Sequence, residues 1–140
     1  MTLVYFDSSA LVKLIVEEEG SEVAAALWDA CDAAVSSRLA YPEVRAALAA
    51  AGRDHRIDTR SFKAAQRDWG TFWSATQPVE LTAIVERRAG ELAEMHALGG
   101  ADAIHLASAL VIGLPDLVVA VWDRRLREAV LSSGLRVAPS

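Results

Sequence analysis

The chain has 140 residues, of which 53% are hydrophobic and 24% are charged, a composition typical of a globular protein and not of a disordered one. Its single cysteine, Cys31, excludes an intrachain disulfide and a cysteine-based zinc finger, and favours a reducing, cytoplasmic location. The net charge of −5 argues against binding nucleic acid through a general positive field, unless bound divalent cations offset clustered acidic side chains.

Predicted strands and helices alternate along the chain. Short apolar runs predict strands at residues 3–6, 33–36, 78–81, 118–122 and 135–137. Helical periodicity, with capping and glycine signals at the ends, predicts helices at residues 10–18, 21–30, 39–51, 58–73, 82–97, 101–112 and 124–132. This order favours parallel βα units, and therefore an α/β fold: a three-layer α/β/α sandwich with a mostly parallel central sheet. With no repeat or linker, residues 1–140 are expected to form a single domain.

Neither a signal peptide nor a membrane span is expected. Asp7 interrupts the first apolar run too early for a signal peptide. The most apolar segment, residues 104–122, contains His105, Pro115 and Asp116, and these residues interrupt it too often for a membrane helix.

Four acidic residues lie where a helix begins, two of them just after a predicted strand. Asp7 follows the first strand, Glu43 lies in the first turn of the helix after the second, and Asp102 opens the helix after a glycine pair. Asp123 follows the strand at 118–122. Taken singly, each acid is well explained as a helix cap. Taken together, they are expected along one edge of a parallel sheet, where they would repel each other unless a cation lay between them.

Ligation by oxygen atoms alone would suit Mg²⁺ or Mn²⁺ better than zinc, and such sites commonly bind phosphates. The spacing therefore leaves helix capping and metal-dependent phosphate chemistry both open.

Four segments also resemble the successive motifs of PIN-domain nucleases, and most nearly the VapC-type toxins of bacterial toxin–antitoxin pairs. They are Asp7 to Lys13, the stretch from Ser37 to Leu48 around Glu43, Asp102 to Ala109, and Trp122 to Leu126. Their order, spacing and the total length agree with that family, and the resemblance extends from Leu3 to Val137.

The resemblance implies a Mg²⁺- or Mn²⁺-dependent endoribonuclease in which metal-activated water attacks RNA, leaving 5′-phosphate and 3′-hydroxyl ends. It also implies a homodimer that acts as the toxin of a cognate VapB-type antitoxin. The acidic quartet, both catalytic and metal-binding, would be Asp7, Glu43, Asp102 and Asp123, with Ser9 as a supporting hydroxyl. Family members often carry Thr or Ser two residues before the last acid, and here that residue is Val121.

Basic residues outside the quartet are candidates for RNA contacts. Positive charges cluster between Gly52 and Arg67, and a solvated helix face or an RNA-guiding rim would each explain them. The candidate nucleic-acid-binding residues are Arg53, Arg56, Arg60 and Arg124.

Histidines and tryptophans are expected to be structural. The three histidines form no HExxH motif, and His105, three residues after Asp102, is expected to pack or to form hydrogen bonds. The four tryptophans are expected to pack in the core or at an interface, in preference to stacking on bases. A face around Trp69 and Trp73 would suit a dimer interface, which periodicity does not distinguish from core.

Three other functions compete with the toxin hypothesis. The first is a PIN-like housekeeping nuclease for RNA processing that has no antitoxin. The second is aspartate-based phosphoryl transfer by Asp7, although the residue two positions on is Ser9 and not a second acid. The third is a catalytically weak RNA-binding module, in which Asp-to-Asn changes would leave RNA affinity unaltered.

Overall fold

The computed structural model describes the whole chain from Met1 to Ser140 and contains one sheet of five strands. They are β1 (Leu3–Phe6), β2 (Ala33–Ser37), β3 (Thr76–Val79), β4 (Val118–Ala120) and β5 (Arg136–Ala138). All neighbouring strands are parallel, in the order β3-β2-β1-β4-β5. The predicted parallel sheet is therefore confirmed, and β5 lies at its edge as expected.

Seven helices cover the two faces of this sheet. They are α1 (Ser8–Lys13), α2 (Ser21–Ala30), α3 (Ala40–Arg53), α4 (Thr59–Ser74), α5 (Ala83–His96), α6 (Gly100–Ile112) and α7 (Arg124–Ser132). One hydrophobic cluster joins the sheet to α1, α3 and α4, and a second joins it to α5, α6 and α7. The chain is thus a three-layer α/β/α sandwich, as predicted.

Alternation along β1 shows how the two cores are separated. Val4 and Phe6 pack into the cluster on the α3 side, whereas Tyr5, which is fully buried, packs into the cluster on the α6 side. Because successive side chains of a strand point to opposite faces, a short strand buried on both sides is largely apolar on both faces. That requirement explains the continuous apolar runs from which these strands were predicted.

The order of the strands identifies where a site is expected. The chain moves from β1 outward to β2 and β3, then returns to the other side of β1 with β4 and β5. Open α/β sheets bind ligands outside the carboxyl ends of the strands where this direction reverses, which here is between β1 and β4. Asp7 and Asp123 follow these two strands.

Helix α1 is shorter than predicted, because it ends at Lys13 and not near Glu18. Residues 14–16 continue only as a turn, and Ser21 Oγ donates a hydrogen bond to the carbonyl of Val16. The acidic run 17–19 would also lie at the negative end of a longer helix, which is unfavourable. Local periodicity did not reveal either effect.

Two strand predictions are also corrected. Strand β4 ends at Ala120, not at Trp122, because its partner β5 ends opposite it at Ala138. Strand β3 runs from Thr76 to Val79, two residues earlier than predicted, in register with β2.

No single helix is long and apolar enough to cross a membrane. Helices α5 and α6 together have the length and composition of a membrane span, but they are bent by 117° relative to each other.

Candidate active site

The carboxyl edge of the sheet gathers the N-termini of α1, α3, α6 and α7. Asp7 is the N-cap of α1, and its Oδ1 accepts a hydrogen bond of 2.8 Å from the Ala10 amide. Asp123 is the N-cap of α7 and accepts one of 2.9 Å from the Leu126 amide. The capping interpretation is therefore correct for these two acids, and it leaves one oxygen of each carboxylate free of protein hydrogen bonds.

Asp7 is the most deeply buried of the acids, with 5% of its surface exposed. Burial raises its pKa from 3.8 to about 6, although His105 and the Ala10 amide act in the opposite direction. The charges of Asp102 and Glu43 raise it further. A buried carboxylate beside two other carboxylates is unfavourable in its ionised form unless positive charge is supplied.

Asp102 is affected by neighbouring acids in the same way as Asp7. Burial raises the pKa of Asp102, and the neighbouring charges of Asp123 and Glu43 raise it further. Asp102 lies in the first turn of α6 and Asp123 at the start of α7. The fold thus brings residues from four distant parts of the chain within range of each other's charge.

Glu43 differs from its neighbours because hydrogen bonds stabilise its charge. Burial alone would raise its pKa, but the hydrogen bonds from His105 and Ser8 outweigh burial and lower it. Ser8 Oγ donates to Glu43 Oε1 over 2.6 Å, and His105 Nε2 lies 2.8 Å from the same oxygen. Glu43 is therefore held ionised, with both contacts on Oε1.

The two residues that contact Glu43, His105 and Ser8, were only partly predicted from the sequence. His105 is 3% exposed and hydrogen-bonds to Tyr5 Oη over 2.7 Å, so the expected packing and hydrogen-bonding role is confirmed. The hydroxyl that touches the acids belongs to Ser8, whereas Ser9 is exposed and makes no side-chain hydrogen bond. Helix position decides this: Ser8 is the first residue of α1 and turns toward α3.

The donor set fits a hard divalent cation of the magnesium type. No group of three or more aspartate, glutamate, histidine or cysteine side chains is spaced to hold a metal ion as the side chains stand. Mg²⁺ does not need one, because it commonly binds through one or two carboxylates and completes its shell with water and phosphate oxygens. The raised pKa of Asp7 and of Asp102 marks charge that such an ion would stabilise.

Comparison with known proteins agrees with this geometry. The family model described as "PIN domain" matches residues 4–130 of the chain. The chain belongs to the PIN-domain family. Ribonuclease VapC49 of Mycobacterium tuberculosis H37Rv is 65% identical over 140 residues, which is 100% of this chain and 97% of that protein.

Solved structures of other proteins share the fold at lower identity. VapC20 of Mycobacterium tuberculosis, described as a toxin that cleaves the sarcin–ricin loop, superimposes with a TM-score of 0.67 at 19% identity, covering 90% of this chain and 94% of that one. VapBC2 of Rickettsia felis, bound to a DNA fragment from its promoter, has a TM-score of 0.67 at 13% identity, covering 97% of each chain. Both similarities extend over nearly all of this PIN domain.

An open pocket of about 540 Å³ adjoins the acids of this PIN domain. It is lined without any hydrophobic side chain by Gly99, Asp102, Asp123, Arg124, Arg125 and Glu128. Arg124 is 93% exposed and pairs loosely with Glu128, while Arg125 donates to the carbonyl of Ala97. An open, polar pocket lined by acidic and basic side chains suits a ligand that carries phosphate groups better than an apolar one.

The basic cluster of the sequence lies away from the acids. Arg53 ends α3, and Arg56 and Arg60 follow it in the connection to α4 and in its first turn; all three are exposed. Ten residues of helix separate Arg53 from Glu43, or about 15 Å along the axis. These arginines could therefore contact only RNA that extends beyond the acidic site.

Trp69 is a core residue, and this changes the expected interface. It is 2% exposed and lies 6.1 Å from the Tyr41 ring and 5.4 Å from the Trp73 ring. The other tryptophans are partly buried against the same cluster. Packing is thus confirmed as the main role of Trp69, and the Trp69–Trp73 face is largely used within the chain.

Val121 is fully buried in the core on the α6 side. Asp123, two residues further on, is oriented by a hydrogen bond from the Leu126 amide. The N-cap contact therefore fixes Asp123 without help from residue 121.

Proposed function

We propose that this PIN domain is a Mg²⁺- or Mn²⁺-dependent endoribonuclease and the toxin of a VapBC-type pair. The observation that carries the proposal is the meeting of Asp7, Glu43, Asp102 and Asp123 at the carboxyl edge, in a chain 65% identical along its whole length to a ribonuclease VapC. We further propose that residues 1–140 act as one domain, in the cytoplasm where RNA is available.

Asp7 and Asp102 are the proposed principal metal ligands, with Glu43 and Asp123 completing the acidic set. When bound, Mg²⁺ or Mn²⁺ supplies Lewis acidity: it lowers the pKa of water and neutralises charge that builds on the phosphate. Asp7 is buried, and the hydrogen bond that it accepts from the Ala10 amide would hold its carboxylate at the base of the site. Asp102 and Asp123 line the open pocket through which a phosphodiester would approach.

No protein nucleophile is needed in this scheme. Ser8 Oγ is engaged with Glu43, so it acts on the carboxylate and not on the phosphate. Attack by water and departure of the ribose 3′-oxygen would leave 5′-phosphate and 3′-hydroxyl ends. Because the Ser9 side chain is exposed, it could support the reaction only by contacting water or the substrate.

RNA would extend across the polar pocket toward the basic residues. Arg124 lines the pocket beside Asp123 and would contact phosphate there, and the exposed Arg53, Arg56 and Arg60 would contact a longer substrate at a distance. Such contacts add affinity without specifying sequence.

The proposed protein partner is a VapB-type antitoxin that blocks the acidic site. Its support is the whole-chain identity to VapC proteins, together with a fold shared with VapBC2 of Rickettsia felis. An adjacent small gene encoding the antitoxin would distinguish this function from a housekeeping PIN nuclease.

A homodimer is also proposed, on a face other than the one around Trp69. Exposed apolar side chains before and on α5 and at the end of α6 form this surface: Leu81, Ile84, Val111 and Leu114. Ile84 is 68% exposed and lines the same shallow groove as Val111. An Ile84→Glu variant should shift the mass measured by light scattering from dimer to monomer.

Cleavage of a panel of structured and single-stranded RNAs tests the activity. Wild type should cleave only with added Mg²⁺ or Mn²⁺, and Asp102→Asn should not cleave at any metal concentration. Cleavage by wild type in excess chelator, or full cleavage by Asp102→Asn, would refute the metal-dependent mechanism.

A further inference from the structure

A line of hydrogen bonds runs from the core of the sheet to the acidic site. Tyr5 lies in the middle of the central strand β1 and is fully buried, and its Oη lies 2.7 Å from His105 Nδ1. The other ring nitrogen, His105 Nε2, lies 2.8 Å from Glu43 Oε1 and 3.1 Å from Ser8 Oγ. Three elements of the fold, β1, α6 and α3, are thus joined through one imidazole ring.

The chemistry of the two ends determines the direction of these bonds. A carboxylate accepts but does not donate, so the hydrogen shared with Glu43 must lie on His105 Nε2 or on Ser8 Oγ. A tyrosine phenol keeps its proton near neutral pH, because its ordinary pKa is about 10, so Tyr5 Oη can donate to His105 Nδ1. The tautomer with hydrogen on Nε2 satisfies every group in the line.

The geometry also separates the two oxygens of Glu43. Both hydrogen bonds from the protein end on Oε1, and Oε2 accepts none. Glu43 is only partly buried, so a carboxylate on its flexible stem would otherwise rotate among several positions. A rigid histidine that is itself held by a core tyrosine removes that freedom.

We propose that Tyr5 and His105 are positioning residues that fix the Glu43 carboxylate, with Oε2 turned toward the acidic site, by donation from Tyr5 Oη to His105 Nδ1 and from His105 Nε2 to Glu43 Oε1. This inference rests on the proposed function, because it assigns Glu43 to the metal-binding set. Neither residue touches the substrate, and both act through Glu43. Histidines that orient metal ligands in this way typically change metal affinity when replaced.

Two substitutions of His105 separate donation to Glu43 from simple packing. A Gln side chain can place its amide N–H near the position of Nε2, whereas an Asn side chain places it near Nδ1. We therefore expect His105→Asn to raise the Kd for Mn²⁺, measured without RNA, by about tenfold or more, and His105→Gln by no more than about threefold. His96→Asn, on the end of α5 and outside the line, is the matched control and should bind Mn²⁺ as wild type does.

Tyr5→Phe tests the far end of the line while retaining the ring in the core. Nitrogen-15 chemical shifts of His105 in the metal-free protein should show hydrogen on Nε2 in wild type and a mixture of tautomers in Tyr5→Phe. The Mn²⁺ Kd of Tyr5→Phe should rise as well, and kcat for RNA should fall with little change in KM. Thermal unfolding identifies any variant that fails to fold, and Tyr5→Phe keeps the test intact if His105→Asn does so.

The outcomes distinguish this inference from the function on which it rests. If wild type neither binds Mn²⁺ nor cleaves RNA, the proposed function fails, and the positioning role fails with it. If wild type does both but folded His105→Asn and Tyr5→Phe bind Mn²⁺ equally well, only the positioning role is overturned. Hydrogen on Nδ1 of His105 in wild type would overturn it too.

Discussion

Ser8 and Glu43 are joined by a 2.6 Å hydrogen bond from Ser8 Oγ to Glu43 Oε1. The contact links the first turn of α1 to the first turn of α3, two helices that pack directly on each other. Because Asp7 immediately precedes Ser8, this hydrogen bond also sets the spacing between Asp7 and Glu43. Positions on separate βα units are thereby fixed in one site.

Asp7→Asn should abolish RNA cleavage while preserving the fold. The amide retains the shape of the side chain and can still accept the hydrogen bond from the Ala10 amide, but it carries no charge for a cation. Circular dichroism tests whether the fold is preserved, and a cleavage assay run in parallel tests whether activity is lost. Full cleavage by a folded Asp7→Asn protein would remove Asp7 from the mechanism.

The stability of the metal-free protein should fall as pH rises from about 4 to about 6. Folding raises the pKa of Asp7 from 3.8 to about 6, so in this window the folded state holds a proton that the unfolded state has lost. The difference corresponds to about 3 kcal/mol. Urea unfolding across this range should show the loss in wild type, and Asp7→Asn should lack the Asp7 share of it. An equal pH dependence in both proteins would contradict the raised pKa.

Divalent metal should stabilise the folded state above pH 6. Mn²⁺ binds the ionised carboxylates of the folded protein, so at about 100 times its Kd it should add about 3 kcal/mol to the free energy of unfolding. The melting temperature, measured with Mn²⁺ and with excess chelator, reports this gain. Asp102→Asn is the control and should lose most of the gain, whereas a gain equal to that of wild type would exclude Asp102 as a ligand.

Val121→Thr should lower stability without changing cleavage. Val121 is fully buried, and an added hydroxyl without a partner costs about 1–3 kcal/mol. Asp123 is already oriented by the Leu126 amide, so it gains little from a hydroxyl at position 121. Urea denaturation and initial cleavage rates test the two parts. A clear rise in cleavage rate would show that Asp123 is poorly held by its cap.

The exposed arginines should contribute affinity that depends on salt. Replacing Arg56 and Arg60 with Ala should weaken RNA binding about equally for different sequences. It should also reduce the slope of log K against log salt, by about 1 for each arginine that neutralises a phosphate. Fluorescence anisotropy with inactive Asp7→Asn protein isolates binding from cleavage. If neither affinity nor slope changes, this cluster is a solvated helix face.

The sequence was sufficient to predict the order of strands and helices, but not the side-chain contacts between them. Strand β1 and helix α7 were predicted at their observed bounds, because apolar runs and capping residues act locally. The end of α1 was misplaced, because Ser21 binds the carbonyl of Val16 across the turn. Hydrophobic periodicity carries no information about such contacts between a side chain and the backbone.

The same limit applies inside the candidate site. Helix-start positions were enough to predict that the acids would share one edge, but not which serine would face Glu43. Nor did they predict that Tyr5 would hold His105, since 100 residues separate the two in the chain. A tyrosine among apolar residues in a central strand was the available signal, because a buried hydroxyl usually requires a partner.

A crystal of this protein grown with Mn²⁺ and measured for anomalous scattering tests the central claim most directly. The account predicts an anomalous peak within coordination distance of Asp7 and Asp102, with Glu43 and Asp123 lying in its immediate surroundings. A wild-type protein that cleaves RNA with Mn²⁺ yet shows no peak at the carboxyl edge of β1 and β4, or shows it elsewhere, would contradict the account.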